Sequence, residues 1–298
     1  MVKDLKCICG SDKYTNLDRG HYEVTSEGET RVAHTNGVVF ASCNSCGVIR
    51  QVTLPYTNDE EYKDYYAKYP PSTEKYGVKG YKHDREVAEK RYNSCGVLEK
   101  DRILDVGSGS GAFVDICREK GAEAYGCELL EYYHHGDNVF IYNKKLEDVH
   151  FPTDHFDKVV CFDVLEHVID PISFLKEMFR ITRQGSQCIV EIPNFFVDEG
   201  KHHWKEEHIW FFDEFQLTDL LTKIGFTVDK YKRPLSSKIV FYMTKPKQSR
   251  VKILVPPGMG DAYWSIVKQE SFMEGIGRGG EVADIYVACN RERQYDGH

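Results

Sequence analysis

The sequence predicts an α/β protein built on a doubly wound sheet, with a small cysteine-rich module ahead of it. Three observations carry that expectation. Ile103-Leu-Asp-Val-Gly-Ser-Gly-Ser-Gly111 reads as a buried strand that runs into a glycine-rich turn and opens a helix. From residue 100 onward, strand and helix patterns alternate, as such a sheet requires. Before it, Cys7-Ile-Cys9-Gly10 and Cys43-Asn-Ser-Cys46-Gly47 are two cysteine pairs, each closed by a glycine.

The chain has 298 residues, enough for one large domain with appendages or for two modest ones. Its 41% apolar and 29% charged residues are those of an ordinary globular protein. A net charge of −8 leaves no electrostatic footprint for a phosphate backbone, so nucleic acid is a poor default partner. No apolar run approaches the roughly 20 residues needed to span a bilayer, and Met1-Val-Lys-Asp-Leu-Lys6 does not read as a signal peptide. A cytoplasmic protein without membrane contact is expected. In that setting ten cysteines point to metal ligands and buried thiols rather than disulfides.

The elements follow in order. Residues 1–55 read as a zinc ribbon, with Cys7, Cys9, Cys43 and Cys46 as a four-thiolate structural Zn2+ site and short strands over Tyr22–Val24 and Val38–Ala41. The first pair is spaced by one residue where ribbons usually use two. That leaves open a replacement of Cys7 by His34, and also a reading of these thiols as merely buried. Cys95, Cys117, Cys127, Cys161, Cys188 and Cys289 fall mostly in apolar strands or helices and read as core.

Residues 56–99 form a helical linker or lid. Tyr62, Tyr65, Tyr66 and Tyr69 recur at spacings of three and four after Asp59, giving either a face docked on the main domain or a lid that touches a substrate. A second helix is expected over Tyr76–Asn93. Between 100 and 246, strands are expected near 102–106, 123–128, 139–142, 157–162, 187–192, 226–231 and 238–244. Asp170-Pro171 caps and starts one helix, and Asp213-Glu-Phe-Gln216 is a capping-box variant for another that stops at Gly225.

The glycine turn alone does not decide its ligand, because the dinucleotide fingerprint uses the same geometry. Asp105, two residues before the first glycine, repels a pyrophosphate but suits a cationic amino acid moiety. Glu128, about twenty residues on, is placed to take two ribose hydroxyls. The strand Phe156-Asp-Lys-Val-Val-Cys-Phe162 then leads into Leu165-Glu-His-Val168. With Phe151-Pro152 and Pro193-Asn194, these motifs resemble the LDVGxGxG, FPxxxFDxVxxxxVLEHV and PN series of class I S-adenosylmethionine-dependent methyltransferases of the small-molecule branch. The resemblance covers roughly residues 100 to 245.

That resemblance implies a Rossmann-like seven-stranded sheet whose last two strands form an antiparallel hairpin. It implies S-adenosyl-L-methionine as cofactor, its amino acid and ribose held by Asp105, Gly107, Ser108, Gly109, Gly111 and Glu128. The adenine is expected over Leu129 and near Leu146, Glu147 and Asp148, with Phe162 and Asp163 touching the methionine portion. Lys145 stands where relatives often carry an acid. For proton removal the candidates are His167, His202, His203 and His208, since an imidazole titrates near neutrality. His208 leads, because Lys205-Glu-Glu-His-Ile-Trp-Phe-Phe212 resembles the EHxxxF segment of sugar C-methyltransferases. Glu207 would orient or acidify it, His167 would order the loop, and Trp204 and Trp210 would close the pocket against water. A structural His208 bonded to backbone is the competing reading.

The combination of cysteine knuckles, tyrosine-rich helix and this core is similar to enzymes of polysaccharide and antibiotic-sugar biosynthesis. It implies methyl transfer to a small polar acceptor, a sugar or nucleotide sugar, at carbon or oxygen. Two alternatives remain: a non-catalytic S-adenosylmethionine-binding scaffold fused to a glycosyltransferase, and a ribosomal RNA methyltransferase, which the acidic charge disfavours. Residues 247–298 stand apart. Val251-Lys-Ile-Leu-Val-Pro-Pro-Gly-Met-Gly-Asp261, a helix-like run over 262–274 and a strand over 283–288 resemble the opening of a heptosyltransferase-like glycosyltransferase. About 48 residues are far too few for that enzyme, so either a unit truncated within a fusion or a docked remnant is expected, the first being favoured.

Overall fold

The computed structural model describes residues 6–17, 39–67, 81–130, 140–197, 205, 207–233 and 237–247, and the backbone alone of 23–26, 29–32, 68, 78–80, 250–254 and 284–288. His34, Tyr69, His202, His203, Trp204, Cys289 and the glycine turn after Leu254 lie outside the described residues. The chain divides into two compact units, 1–245 and 246–298. Among the described residues no helix is long and apolar enough to cross a membrane.

The first unit is an α/β fold around a seven-stranded sheet. Its strands, numbered along the whole chain, are β6 (Arg102–Val106), β7 (Glu123–Cys127), β8 (Ile141–Tyr142), β9 (Phe156–Phe162), β10 (Thr182–Pro193), β12 (Thr227–Lys232) and β13 (Lys238–Thr244). They lie in the order β12-β13-β10-β9-β6-β7-β8. Parallel pairing runs from β10 to β8, and β13 inserts antiparallel between β10 and β12. The Rossmann-like sheet with its antiparallel closing hairpin is therefore present. The central strands are apolar on both faces because helices cover both: Ile103, Leu104, Val159, Val160, Ile189 and Val190 are all fully buried. β10 starts five residues earlier than its apolar run, since Thr182 pairs with Phe156 before an irregularity restores the register at Gln187.

The helices are α1 (Asp59–Lys68), α2 (Val78–Cys95), α3 (Ala112–Glu119), α4 (Leu146–Val149), α5 (Pro171–Ile181) and α6 (Glu214–Ile224). The caps form as the sequence indicates. The Asp170 carboxylate accepts from the N–H groups of Ile172 and Ser173, with Pro171 at the first helical position, where an N–H is not required. Asp213 and Gln216 make a reciprocal capping box, and α6 ends on Gly225 in the left-handed region.

Ahead of the sheet, β1 (Tyr14–Asn16), β4 (Phe40–Cys43) and β5 (Ile49–Gln51) form an antiparallel ribbon, and β2 (Glu23–Ser26) pairs with β3 (Glu29–Val32). The ribbon is not a free appendage. A short strand, β11 (Trp210–Phe211), leaves the large domain and pairs antiparallel with β5, Trp210 opposite Arg50 and Phe211 opposite Ile49. The order β1-β4-β5-β11 thus makes one sheet from residues 160 positions apart in sequence. Such pairing has no signature in local periodicity, and the 205–212 segment reads in the sequence only as a loop.

The tyrosine stripe of α1 does both things its spacing allows. The half-buried Tyr62 and Tyr65 rings pack edge-on against the buried Tyr56 at 4.8 and 5.8 Å between centroids, while Tyr62 and Tyr66 also line the main cleft. In the second unit, β14 (Arg250–Leu254) and β15 (Asp284–Ala288) pair in parallel.

Candidate active site

A cleft of about 1160 Å³ opens over the C-terminal ends of β6, β7 and β9, where an open α/β sheet reverses its winding direction and leaves a crevice. The glycine turn forms its floor. Gly107 sits at φ 72, and a Cβ there would meet Val164 Cγ2 at 2.3 Å, so only glycine lets the turn pass under the loop after β9. Gly109, at φ 52, has nothing within 4 Å of where its Cβ would stand and lines the cleft, so no side chain of its own screens the turn from a ligand. Gly111 serves differently: it does not line the cleft but is the N-cap of α3 in the left-handed conformation.

Glu128 is tied into this turn. Its two oxygens accept from Gly109 N–H at 3.1 Å and Leu130 N–H at 3.0 Å, and burial raises its pKa. Asp105 is 4% exposed; burial pushes its carboxyl up to about 7, with Arg91 opposing the rise and Glu128 adding to it. A buried and a half-buried acid facing one cleft are a poor host for a pyrophosphate and a good one for an ammonium and a pair of hydroxyls. Leu129, Leu146 and Glu147 line the wall beyond, and Phe162 packs edge-on against Phe113 at 5.3 Å. These residues fit the amino acid, ribose and adenine of S-adenosylmethionine. Ser108 contributes backbone and packing: its N–H donates to Cys127 O, and its buried hydroxyl lies over Gly126.

Asp148 does not belong with them. It is exposed, 3.9 Å from Lys145, and does not line the cleft. Its place on the outer face of the short α4 follows from the helical period, which turns Leu146 inward and Asp148 outward.

The same cleft is lined by His167 and His208, their ring centroids 4.7 Å apart. His167 follows β9 in a single 3₁₀ turn, Leu165–His167, and its Nδ1 is 2.9 Å from the carbonyl of Glu207; an N–H there donates, which leaves Nε2 as the basic nitrogen. Burial lowers its pKa, partly offset by that carbonyl. His208 is 4% exposed and lines the same cleft. Glu207 acts otherwise than its sequence neighbourhood suggests. Its carboxylate lies 3.6 Å from Lys205 Nζ, and it is the Glu207 backbone carbonyl that reaches the His167 imidazole. Trp210 also differs: it is buried outside the cleft, stacked on Phe212, with Nε1 donating to Val168 O. A rigid strand rather than a hydrophobic lid is its contribution.

The burial of Glu166 and the pairing of Asp163 with Arg91 and Lys238 escape a sequence reading. Glu166 is 1% exposed beside His167, its carboxyl oxygens without a hydrogen-bond partner, and burial raises its pKa far above the carboxylate range. Asp163, at φ 57, is pushed up by burial but held low by Lys238 and Arg91, which both pair with it. Arg91 also bridges to Glu191. These partners come from α2, β10 and β13, and only the sheet topology brings them together.

In the N-terminal ribbon the four sulfurs converge. Cys7 Sγ is 3.5 Å from Cys46 Sγ, Cys9 Sγ is 3.6 Å from Cys43 Sγ, and all four lie within 4.8 Å of one another. A tetrahedral ion at about 2.3 Å from each thiolate separates the sulfurs by about 3.8 Å. The single-residue spacing of the first knuckle does not stop Cys7 from joining this set. Ser45 N–H points at Cys43 Sγ at 3.4 Å, as a glycine-closed knuckle allows.

Comparison with known proteins agrees with this geometry. A family model described as a methyltransferase domain matches residues 61–231. The ubiquinone biosynthesis O-methyltransferase of Psychrobacter arcticus is 27% identical over 109 residues, 33% of this chain and 42% of that protein. The enzyme of the same name from Alkalilimnicola ehrlichii is 32% identical over 111 residues, 33% of this chain and 44% of the relative. The matched stretch spans less than half the length of these relatives. Among solved structures, a chain from the complex of the Haloferax volcanii Trm112 methyltransferase activator with a methyltransferase shares the fold: TM-score 0.50, 17% identity, 64% of this chain and all of that one. The family match covers more than half of the chain, and the chain belongs to the methyltransferase-domain family.

Proposed function

We propose that the protein methylates a small polar acceptor, a sugar or nucleotide sugar, at carbon or oxygen. The observation that carries this reading is one cleft lined by two chemically distinct sets of residues. Asp105, Gly107, Gly109 and Glu128 supply an acid-flanked glycine turn, and His167 and His208 supply two imidazoles. S-adenosylmethionine supplies an electrophilic methyl carbon on a sulfonium, so the chain's task is to align two reactants and manage one proton. Alignment of this kind lowers a barrier by roughly 7–11 kcal/mol.

In this reading His208 takes the acceptor's proton, and His167, fixed in one tautomer by the Glu207 carbonyl, orders the loop beside it. Tyr62 and Tyr66 offer hydroxyls and ring faces to the acceptor. The cleft is lined by ten carboxylates and five lysines or arginines, and four of those cations pair with lining acids: Arg91 and Lys238 with Asp163, Lys145 with Asp59, Lys205 with Glu207. That balance favours a neutral sugar over one bearing a diphosphate. Zinc held by Cys7, Cys9, Cys43 and Cys46 is structural in this account, because four thiolates leave no open position for an acceptor. The parallel β14–β15 pair of the second unit supports the glycosyltransferase-like reading of the tail.

A second reading is methylation of a phenolic hydroxyl. The names of the ubiquinone biosynthesis relatives favour it, and so does the aromatic wall of Tyr56, Tyr62 and Tyr66. One experiment tests both. Protein incubated with methyl-labelled S-adenosylmethionine and a panel of neutral sugars, nucleotide sugars and catechols is expected to label a sugar. Labelling of catechols alone would replace the first reading by the second. Cofactor binding with no labelled product from the panel or from cell extract would support the scaffold reading instead.

A further inference from the structure

We propose that the N-terminal cysteine module backs the histidine segments of the acceptor site from behind, and that Tyr56 is the positioning residue through which it aligns His167 and His208. The proposal rests on the reading of those histidines as the acceptor end of the cleft.

The argument begins with Ile209, the residue after His208. Its N–H donates to Glu166 O at 2.7 Å, which fastens it to the turn that carries His167. Its carbonyl accepts from Gln51 N–H at 2.8 Å, which fastens it to β5 of the module. Trp210 and Phe211 then complete the module's sheet as β11, and Arg50 of β5 lies 4.5 Å over the Trp210 ring. The His208 backbone is therefore spliced between two parts of the chain and has no independent path.

Tyr56, five residues beyond β5, closes the arrangement. Its ring is 1% exposed, and its hydroxyl lies 3.1 Å from His167 O and 3.2 Å from Glu207 O. Burial holds the phenol protonated, so it donates. The carbonyl of Glu207 that accepts from Tyr56 is also the one that His167 Nδ1 contacts. One phenol thus joins both histidine-bearing segments and sets the acceptor oxygen that fixes the His167 tautomer. On the other side Gln216, which closes the capping box of α6, is placed with Nε2 3.4 Å from Cys46 O. The cysteine cluster is anchored to the large domain at both flanks. None of these contacts involves Asp105, Glu128 or the glycine turn.

This separation makes the proposal testable. Nitrogen-15 NMR of the imidazoles in the full chain reads the His167 tautomer and the exchange of its Nδ1 proton, and calorimetry with S-adenosylhomocysteine reads the cofactor end. Tyr56→Phe is expected to speed that exchange about tenfold, as loss of one buried hydrogen bond does to a local opening equilibrium, and to shift the His208 resonances. Chelation of the metal from the wild-type chain is expected to do the same. Cofactor affinity is expected to stay within about twofold in both cases, because no contact at that end is removed. Unchanged His167 and His208 signals in both samples would overturn the proposal. If Tyr56→Phe fails to fold, Arg50→Met, which keeps the packing stem and removes the charge over Trp210, carries the same expectation. Failure of the wild-type chain to bind the cofactor product would instead overturn the methyltransferase reading, and the two outcomes are distinct.

Discussion

Two acids set the behaviour of the cofactor end. Asp105, its carboxyl raised to about 7 by burial, shares its proton with solvent near neutral pH, and it faces a cation as a charge only when ionised. Because the folded pKa is raised, a proton competes with the ligand's ammonium below that value. Affinity for S-adenosylhomocysteine is therefore expected to be flat above about pH 8 and to fall by up to about tenfold per pH unit below 7, the limit for one linked proton. Calorimetry across pH 5.5–8.5, values chosen to straddle that titration at roughly one to two units either side, checks it, and Asp105→Asn is expected to remove the dependence. Glu128 works by geometry as well as charge. Glu128→Ala releases the N–H groups of Gly109 and Leu130 and is expected to weaken binding by about 1.5–3 kcal/mol, roughly ten- to a hundredfold. Both acids are visible in the sequence because each sits at a fixed short offset from a strand end. Arg91 and Lys238 are not, since their relation to Asp163 is made by a helix and a strand far from it in the chain, and the burial of Glu166 beside His167 follows only from packing.

Elements with local stop and start signals form where those signals stand. Asp213→Ala breaks one cap and is expected to destabilise the first unit by about 1 kcal/mol in urea unfolding, with little effect on cofactor binding. Asp170→Ala removes the bonds to Ile172 and Ser173 and carries a similar expectation. What local rules do not reach is β11. Two residues pair with β5 across a long sequence separation, and nothing in Trp210-Phe211 distinguishes an edge strand from an apolar loop. The outward turn of Asp148 has another reason: the helical period sets it two positions from the buried Leu146, but in a four-residue helix only the structure shows that Leu146 is the inward one.

At the scale of the molecule, the large sheet supplies the cofactor end and the ribbon's shared sheet supplies the backing of the histidine loop. Elemental analysis is expected to find one zinc per chain, and Cys43→Ser to lose it, because three sulfurs and a hydroxyl bind the ion far less tightly. The glycine turn, the caps and the sulfur set were legible because each is a short-range pattern. The joining of ribbon to catalytic loop was not, because it exists only once the chain has folded. The most direct test of the whole account is calorimetry with S-adenosylhomocysteine on three proteins: wild type, Glu128→Ala and His208→Gln. The account predicts one site in the wild type, binding weakened at least about tenfold by Glu128→Ala, and binding unchanged by His208→Gln, whose loss is confined to turnover. No binding by the wild type, or equal binding by Glu128→Ala, would contradict it.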